Sequence, residues 1–174
     1  MQGSGTILLF RFIHIVGGAF WFGAAIFMTG FLMPSLQAAG PAAGPVMDQL
    51  TRIRRLPIFM MAAAIFTILS GFGLYAHDSG GFSGPWMRSG PGMVFGIGGL
   101  AGTLAAIVGM AVPSPAGRRM GALGAEIKAS GAPPTAEQVA EMQALQGRIA
   151  RGSAVVAVLI VIATTAMALA RYVP

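Results

Sequence analysis

Cysteine is absent from this sequence, and charged side chains are scarce. Lys, Arg, Asp and Glu make up 9% of the 174 residues, whereas a soluble globular domain carries about 25%. Without cysteine the chain has no disulfide, thiolate cluster or cysteine nucleophile. The low charge, together with a hydrophobic content of 55%, predicts an integral membrane protein built as one domain over residues 1–174.

Acidic residues number only five, and none lies in an apolar run long enough to span a membrane. This absence excludes carboxylate proton relays and paired-carboxylate hydrolysis within the membrane. The sequence also has no Ser-His-acid set, phosphate-binding loop or HExxH motif. We therefore predict an electron-transfer or accessory subunit rather than a stand-alone enzyme, and we assign no catalytic residue.

Long apolar runs are what the chain has in abundance. Four runs approach the roughly 20 residues that a helix needs to cross a bilayer, and they cover residues 7–33, 57–76, 93–112 and 154–171. We expect an all-α bundle of four transmembrane helices in contact with lipid. Residues 46–55 are predicted to form an interfacial helix, and Pro57 to begin or kink the second span.

A polar stretch separates the third and fourth spans. The Pro-Ser-Pro of 113–115 is predicted to break the third span, and two short helices are predicted at 116–129 and 136–151. Thr135, with Gln138 three residues later, forms a capping-box pattern, so the second helix should begin there and run into the fourth span. We expect a cytoplasmic helical hairpin over 116–151, serving as a solvated surface or as a docking site for another subunit.

The net charge of +6 arises largely in the loops. Eight of the eleven Lys and Arg residues lie in the first and third loops. The positive-inside rule places those loops in the cytoplasm and both termini outside. Because membrane topology accounts for this bias, no nucleic-acid partner is expected.

Histidine occurs only twice, and His14 lies inside the first apolar run. An ionisable side chain within a span is costly and marks a functional site by default. On a helix, His14 shares a face with Arg11, Gly18 and Trp21. That face offers a ligand, a cation, a gap without a side chain and a large aromatic ring.

The second histidine, His77, is predicted to lie level with His14. The two residues are about 28 and 30 Å from Met33 and Pro57, the expected cytoplasmic ends of their helices. Antiparallel packing of the first two spans would then bring both imidazoles to one depth near the outer face.

Two imidazoles at one level suit a haem b held edge-on between helices. His14 and His77 would be its axial ligands, and Gly18 and Gly73, each one turn toward the membrane centre, would give room for the ring. The cationic side chains Arg11 and Arg88 would pair with its carboxylates.

The same residues allow other interpretations. His14 can be hydrogen-bonded to a neighbouring helix, and His77 can lie at the interface beside Asp78, without binding anything. Met87 and Met93 are close to His77 in sequence, and thioether with imidazole suits copper or a haem with His and Met ligands, although methionines in apolar runs usually fill space. A four-ligand zinc site is not supported, because Cys is absent and no His pair has helical spacing.

Small residues recur along the third span, at positions 92, 96, 99, 102, 106 and 109. Such a stripe favours close helix packing, and a cofactor edge would fit the same groove. The fourth span carries no chemically active side chain and is predicted to be scaffold.

The motif R-F-x-H-I-V-G-G-x-F-W-F-G at 11–23 resembles the first helix of the CopD-like superfamily of small bacterial integral membrane proteins. His14, Trp21 and Gly23 match its H and W-x-G positions. The segments S-G-F-G-L-Y at 70–75 and M-A-L-A-R-Y at 167–172 are similar to relatives in that group.

This resemblance implies a four-helix unit in the bacterial inner membrane. For some relatives it implies haem b or copper at the outer side, with His14 and His77 as the ligand positions. The chain departs from four-helix cytochromes with two haems, which need four histidines. Two histidines permit one haem at most, and therefore no complete transmembrane electron wire.

The leading prediction is a membrane cytochrome subunit that binds one haem b near the outer face. It would pass electrons to other membrane or periplasmic electron-transfer subunits. The alternatives are a cofactor-free accessory subunit of a larger membrane complex and a copper-handling membrane protein.

Overall fold

The computed structural model describes residues 2–174, and every regular element in that range is helical. The α-helices, in chain order, are α1 (Gln2–Phe27), α2 (Met33–Ala39), α3 (Ala43–Asp48), α4 (Leu56–Asp78), α5 (Gly84–Met87), α6 (Gly90–Ala111), α7 (Pro113–Ser130) and α8 (Ala136–Leu169). Two π-helical turns, Met28–Leu32 and Gln49–Ile53, and two 3-10 turns, Gly40–Ala42 and Ala170–Tyr172, complete the chain.

Four helical stretches within residues 2–174 are long and apolar enough to cross a membrane. The shortest of them, α4, has 23 residues and is therefore about 34 Å long, against about 30 Å of hydrocarbon. Large apolar side chains such as Phe12, Phe66, Leu100 and Val158 are more than half exposed, as lipid-facing residues are. The chain is thus an all-α, multi-pass membrane protein, which confirms the fold class predicted from the sequence.

The four long helices form a ring in chain order. Helix α1 packs on α4, α4 on α6, α6 on α8, and α8 back on α1. The interior is built mostly of small side chains around one tryptophan, and its buried residues are Trp21, Ala25, Ala64, Ala105, Ala106, Val156 and Ile160. Small interior residues let membrane helices approach closely, where lipid offers no hydrophobic driving force for their association.

The glycines of the third span serve this packing, as predicted. A Cβ added to Gly98 would lie 3.1 Å from Cβ of Ala166 on α8. At Gly102 the corresponding distance to Cβ of Ala163 is 3.8 Å. Gly99 differs, because nothing lies within 4 Å of such a Cβ.

Between the third and fourth spans, α7 folds back on the first part of α8. Their contact has its own core of Ala116, Leu123 and Leu145. Beside it, Arg119 donates to both carboxylate oxygens of Glu141, at 2.7 and 3.0 Å, and to Glu126 at 2.8 Å. We call this unit, residues 116–151, the hairpin.

Helix α8 runs without interruption from the hairpin into the fourth span, as predicted. Both bonds of the capping box are present: Gln138 N donates to Thr135 Oγ1, and Thr135 N donates to Gln138 Oε1. The bundle ends where Gly152 meets Val112 and Pro113. Residues 136–151 therefore extend about 24 Å beyond the bundle.

Three predicted boundaries change. The first span does not end at Met33, since a π-helical turn and α2 continue it to Ala39. The third span does break before the Pro-Ser-Pro of 113–115, but the next helix, α7, begins at Pro113 and not at residue 116, because proline is tolerated in a first helical turn. The stretch 46–55 is only partly α-helical, with a π-helical turn at Gln49–Ile53.

Candidate functional site: the His14 contact between α1 and α4

His14 is half-buried and reaches across to the backbone of α4. Its Nδ1 lies 2.8 Å from the carbonyl oxygen of Thr67. A carbonyl oxygen only accepts, so Nδ1 carries the hydrogen and Nε2 of the neutral ring carries the lone pair. The bond thereby fixes both the tautomer and the orientation of the imidazole.

Glycine lets the two helices come this close. A Cβ on Gly71 would lie 2.8 Å from Cε1 and 3.0 Å from Nδ1 of His14. A Cβ on Gly17 would lie 2.8 Å from Oγ1 of Thr67. Any larger residue at either position would force the helices or these side chains to move.

Thr67 is the polar centre of the contact and is 9% exposed. Its carbonyl oxygen accepts from His14 and also from Ser70 Oγ at 3.1 Å. Its own hydroxyl oxygen is buried without a hydrogen-bond partner among the described residues. The space beside Gly18 holds the Thr67 methyl group, 3.4 Å from a Cβ placed there, in the position predicted to clear a macrocycle.

His77 lies elsewhere, at the C-terminal end of α4. Its side chain is 55% exposed, and Nδ1 lies 3.0 Å from Oδ1 of Asp78. The helix contacts set the register: Phe10 meets Gly73, and His14 meets Gly71. By this register His77 is level with about residue 7, so the two histidines are about 10 Å apart along the helix axis.

The prediction of equal depth is therefore wrong, and the helix ends explain why. It took Met33 and Pro57 as level ends of the first two spans. The same register places Pro57 level with about residue 27 of α1, and the chain from 28 to 39 continues beyond the start of α4.

The remaining predicted cofactor contacts are dispersed. Gly73 is covered by the Phe10 ring, so the second predicted gap is also filled. Trp21 is buried in the bundle core, 8% exposed. Arg11 and Arg88 are exposed, and neither has a carboxylate within ion-pair distance among the described residues.

The methionines proposed for copper are surface residues. Met87 and Met93 are 37% and 53% exposed. Within the part of the chain that the structure describes, no three His, Cys, Asp or Glu side chains gather into a group able to hold a metal ion. The structure brings His77 together with Asp78 alone.

Sequence reasoning missed Thr67, Gly71 and Tyr75. Tyr75 donates to the carbonyl oxygen of Gly92 at 3.0 Å and meets the Trp86 ring edge-on at 5.2 Å, which ties α4 to α5 and α6. The available signal was the presence of Thr67, Ser70 and Gly71 in an otherwise apolar span; of these, Thr67 meets the Gly17-Gly18 pair and Gly71 meets His14.

A bis-histidine haem does not fit this arrangement within one chain. Both axial ligands must bind the same iron atom, yet the imidazoles are about two helical turns apart and the side chains of Phe10 and Thr67 occupy the gaps. Comparison with protein-family models, with curated proteins and with solved structures found no match to this chain.

Proposed function

We propose that this chain is a non-catalytic accessory subunit of a larger membrane complex. The hairpin carries the proposal. It extends about 24 Å beyond the bundle. As a connection between two spans, the segment 116–151 is also far longer than the 2–8 residues that usually join helices in bundles. Its own core and the bidentate Arg119–Glu141 pair make it a rigid unit, as a platform for another subunit requires.

The His14 contact supports this proposal from the membrane side. The tautomer-fixing bond to Thr67 and the glycine at position 71 make His14 part of the seam that holds α1 against α4. An interhelical hydrogen bond of this kind stabilises a membrane bundle without any cofactor.

Membrane placement follows from the charge distribution. By the positive-inside rule, the hairpin and the loop before α4 face the cytoplasm, and both termini face outward. We place the protein in the plasma membrane of a bacterium, in line with the CopD-like resemblance of residues 11–23.

The test is purification of the tagged full chain from native membranes under mild detergent. We expect another polypeptide at fixed stoichiometry. The double variant R119Q/E141Q should lose that partner, because it loosens the hairpin without touching the spans. A matched variant at the opposite end, R88Q/D78N, should keep it. If the chain purifies from native membranes without any other polypeptide, this result would count against the proposal.

A second candidate function is haem binding through His14 alone. The fixed tautomer favours it, because a ligating histidine usually donates its other ring nitrogen to a carbonyl or carboxylate. Nε2 of His14 would hold the iron, and the haem would supply one-electron transfer when bound. A reduced-minus-oxidised spectrum would then be lost in H14A and unchanged in H77A.

A further inference from the structure

We infer that the cytoplasm-proximal end of the bundle carries a binding surface for the headgroups of anionic phospholipids. Five arginines form it: Arg54, Arg55, Arg118, Arg148 and Arg151. We call this set the basic rim. All five are exposed: Arg54 and Arg55 directly precede α4, Arg118 lies on α7, and Arg148 and Arg151 lie on α8.

The heights of these arginines match the headgroup layer. Arg55 directly precedes Leu56, where α4 begins. Arg151 is next to Gly152, which contacts the end of α6 at Val112. Arg148 and Arg118 lie about 6 and 8 Å further out, and the polar layer on each side of the hydrocarbon is about 5–7 Å thick.

None of the rim arginines is neutralised within the described residues. Of the acidic side chains at this end, Asp48 pairs with Arg52, and Glu126 and Glu141 pair with Arg119. Glu137 lies at the start of α8, where it bonds to the backbone and to Thr135. Of the rim, Arg118 donates to Ser114 Oγ at 3.0 Å, which leaves its charge uncompensated. The rim therefore presents five exposed positive charges without a carboxylate partner, to which an anionic headgroup would be attracted.

The position of Arg151 is that of a side chain reaching for the interface. Its Nη2 atom lies 3.9 Å from a Cβ placed on Gly147, one helical turn back toward the hairpin. The guanidinium is thus directed away from the apolar part of α8, and the absence of a side chain at Gly147 leaves it room. Long cationic side chains near helix ends adopt this course toward headgroups.

A surface rich in arginine favours the binding of phosphate groups. Arginine presents a planar fork of donors that binds phosphate oxygens in pairs. Each Lys or Arg near an anionic membrane surface adds to the attraction, by about fivefold in affinity. Phosphatidylglycerol, which carries one negative charge, is the probe of choice against zwitterionic phosphatidylcholine.

The test measures lipid preference for the intact chain in nanodiscs of both lipids, by native mass spectrometry of the lipids that stay bound. R54Q/R55Q and R148Q/R151Q should each reduce the preference for phosphatidylglycerol by about tenfold or more. R54K/R55K keeps the charge and should retain most of it. Helical circular dichroism shows that each variant is folded.

Two matched controls remove positive charge away from the rim. Lys128 is exposed but lies about 22 Å beyond Pro113, so K128Q should leave the preference unchanged. R88Q/R171Q removes two charges at the opposite end and should also leave it unchanged. The rim is not a lipid surface if the rim variants keep the preference for phosphatidylglycerol. The same conclusion follows if the controls lose the preference as the rim variants do.

Discussion

Nδ1 of His14 lies 2.8 Å from the carbonyl oxygen of Thr67, across the interface between α1 and α4. That carbonyl also accepts from Ser70, so one backbone oxygen collects two side-chain donors. The bond fixes His14 in the helix seam and leaves His77 at the end of α4 with only Asp78 beside it. The two histidines therefore have separate roles, and their substitutions should separate too.

Removing the His14 imidazole should destabilise the bundle. We expect H14A to lower the free energy of unfolding by about 1 kcal/mol, since interhelical bonds in membranes average about 0.6 kcal/mol and packing against Gly71 is lost as well. H77A should change it by less than about 0.5 kcal/mol because His77 is exposed. Unfolding in mixed micelles measures both, and equal effects would refute the assignment.

Adding a methyl group at Gly71 should push His14 away. The new Cβ would lie 2.8 Å from Cε1 of His14, and such overpacking costs about 1–3 kcal/mol. G99A is the matched control, because nothing lies within 4 Å of a Cβ at Gly99. We expect G71A to unfold more easily than wild type and G99A to be at least as stable, by the same measurement.

The junction between the bundle and the hairpin should be equally intolerant at Gly152. A Cβ there would lie 2.9 Å from Cδ of Pro113 and 2.9 Å from Cγ1 of Val112. G152A should loosen the hairpin, and amide hydrogen exchange of 116–151 should increase while the spans stay protected. G147A offers the control, since its nearest neighbour would be Nη2 of Arg151 at 3.9 Å.

The hairpin should lose stability in acid through Glu141. Its hydrogen bonds to Arg119 lower the pKa of this carboxyl from 4.5. A lowered folded-state pKa means that the contribution is full above about pH 4.5 and is lost as pH falls through the folded value. Both side chains are well exposed, so the effect is modest.

Hydrogen exchange of 116–151 between pH 6 and pH 3, corrected for intrinsic rates, measures this loss. R119Q should flatten the pH dependence, because Glu141 then titrates near its ordinary value in both states. The pKa of Glu137 is also lowered, by backbone and Thr135 hydrogen bonds that R119Q leaves intact. An unchanged pH dependence in R119Q would show that the Arg119–Glu141 pair does not contribute.

Hydropathy and capping chemistry were sufficient to predict the architecture. The apolar runs define the spans, and Thr135 with Gln138 predicts the start of α8 because a cap is a local interaction. The glycine spacing in α6 predicts close packing for the same reason, since the absence of a side chain acts directly on helix approach.

The geometry of the His14 site depends on the alignment of α1 with α4, and local sequence patterns do not contain this information. The depth of His77 relative to His14 depends on the register of two helices, and that register depends on where the chain turns. Residues 28–42 continue helically through π and 3-10 turns, which neither the hydropathy nor the proline positions reveal. The same register decides what fills the space at Gly73, which the Phe10 ring covers, while His14 packs on Gly71.

The most direct test of the proposed accessory role is purification of the tagged full chain from native membranes, with a reduced-minus-oxidised visible spectrum of the product. We predict a second polypeptide at fixed stoichiometry, and no haem signal that depends on both His14 and His77. The contradicting result would be a chain purified alone that carries one haem b and loses it in both H14A and H77A.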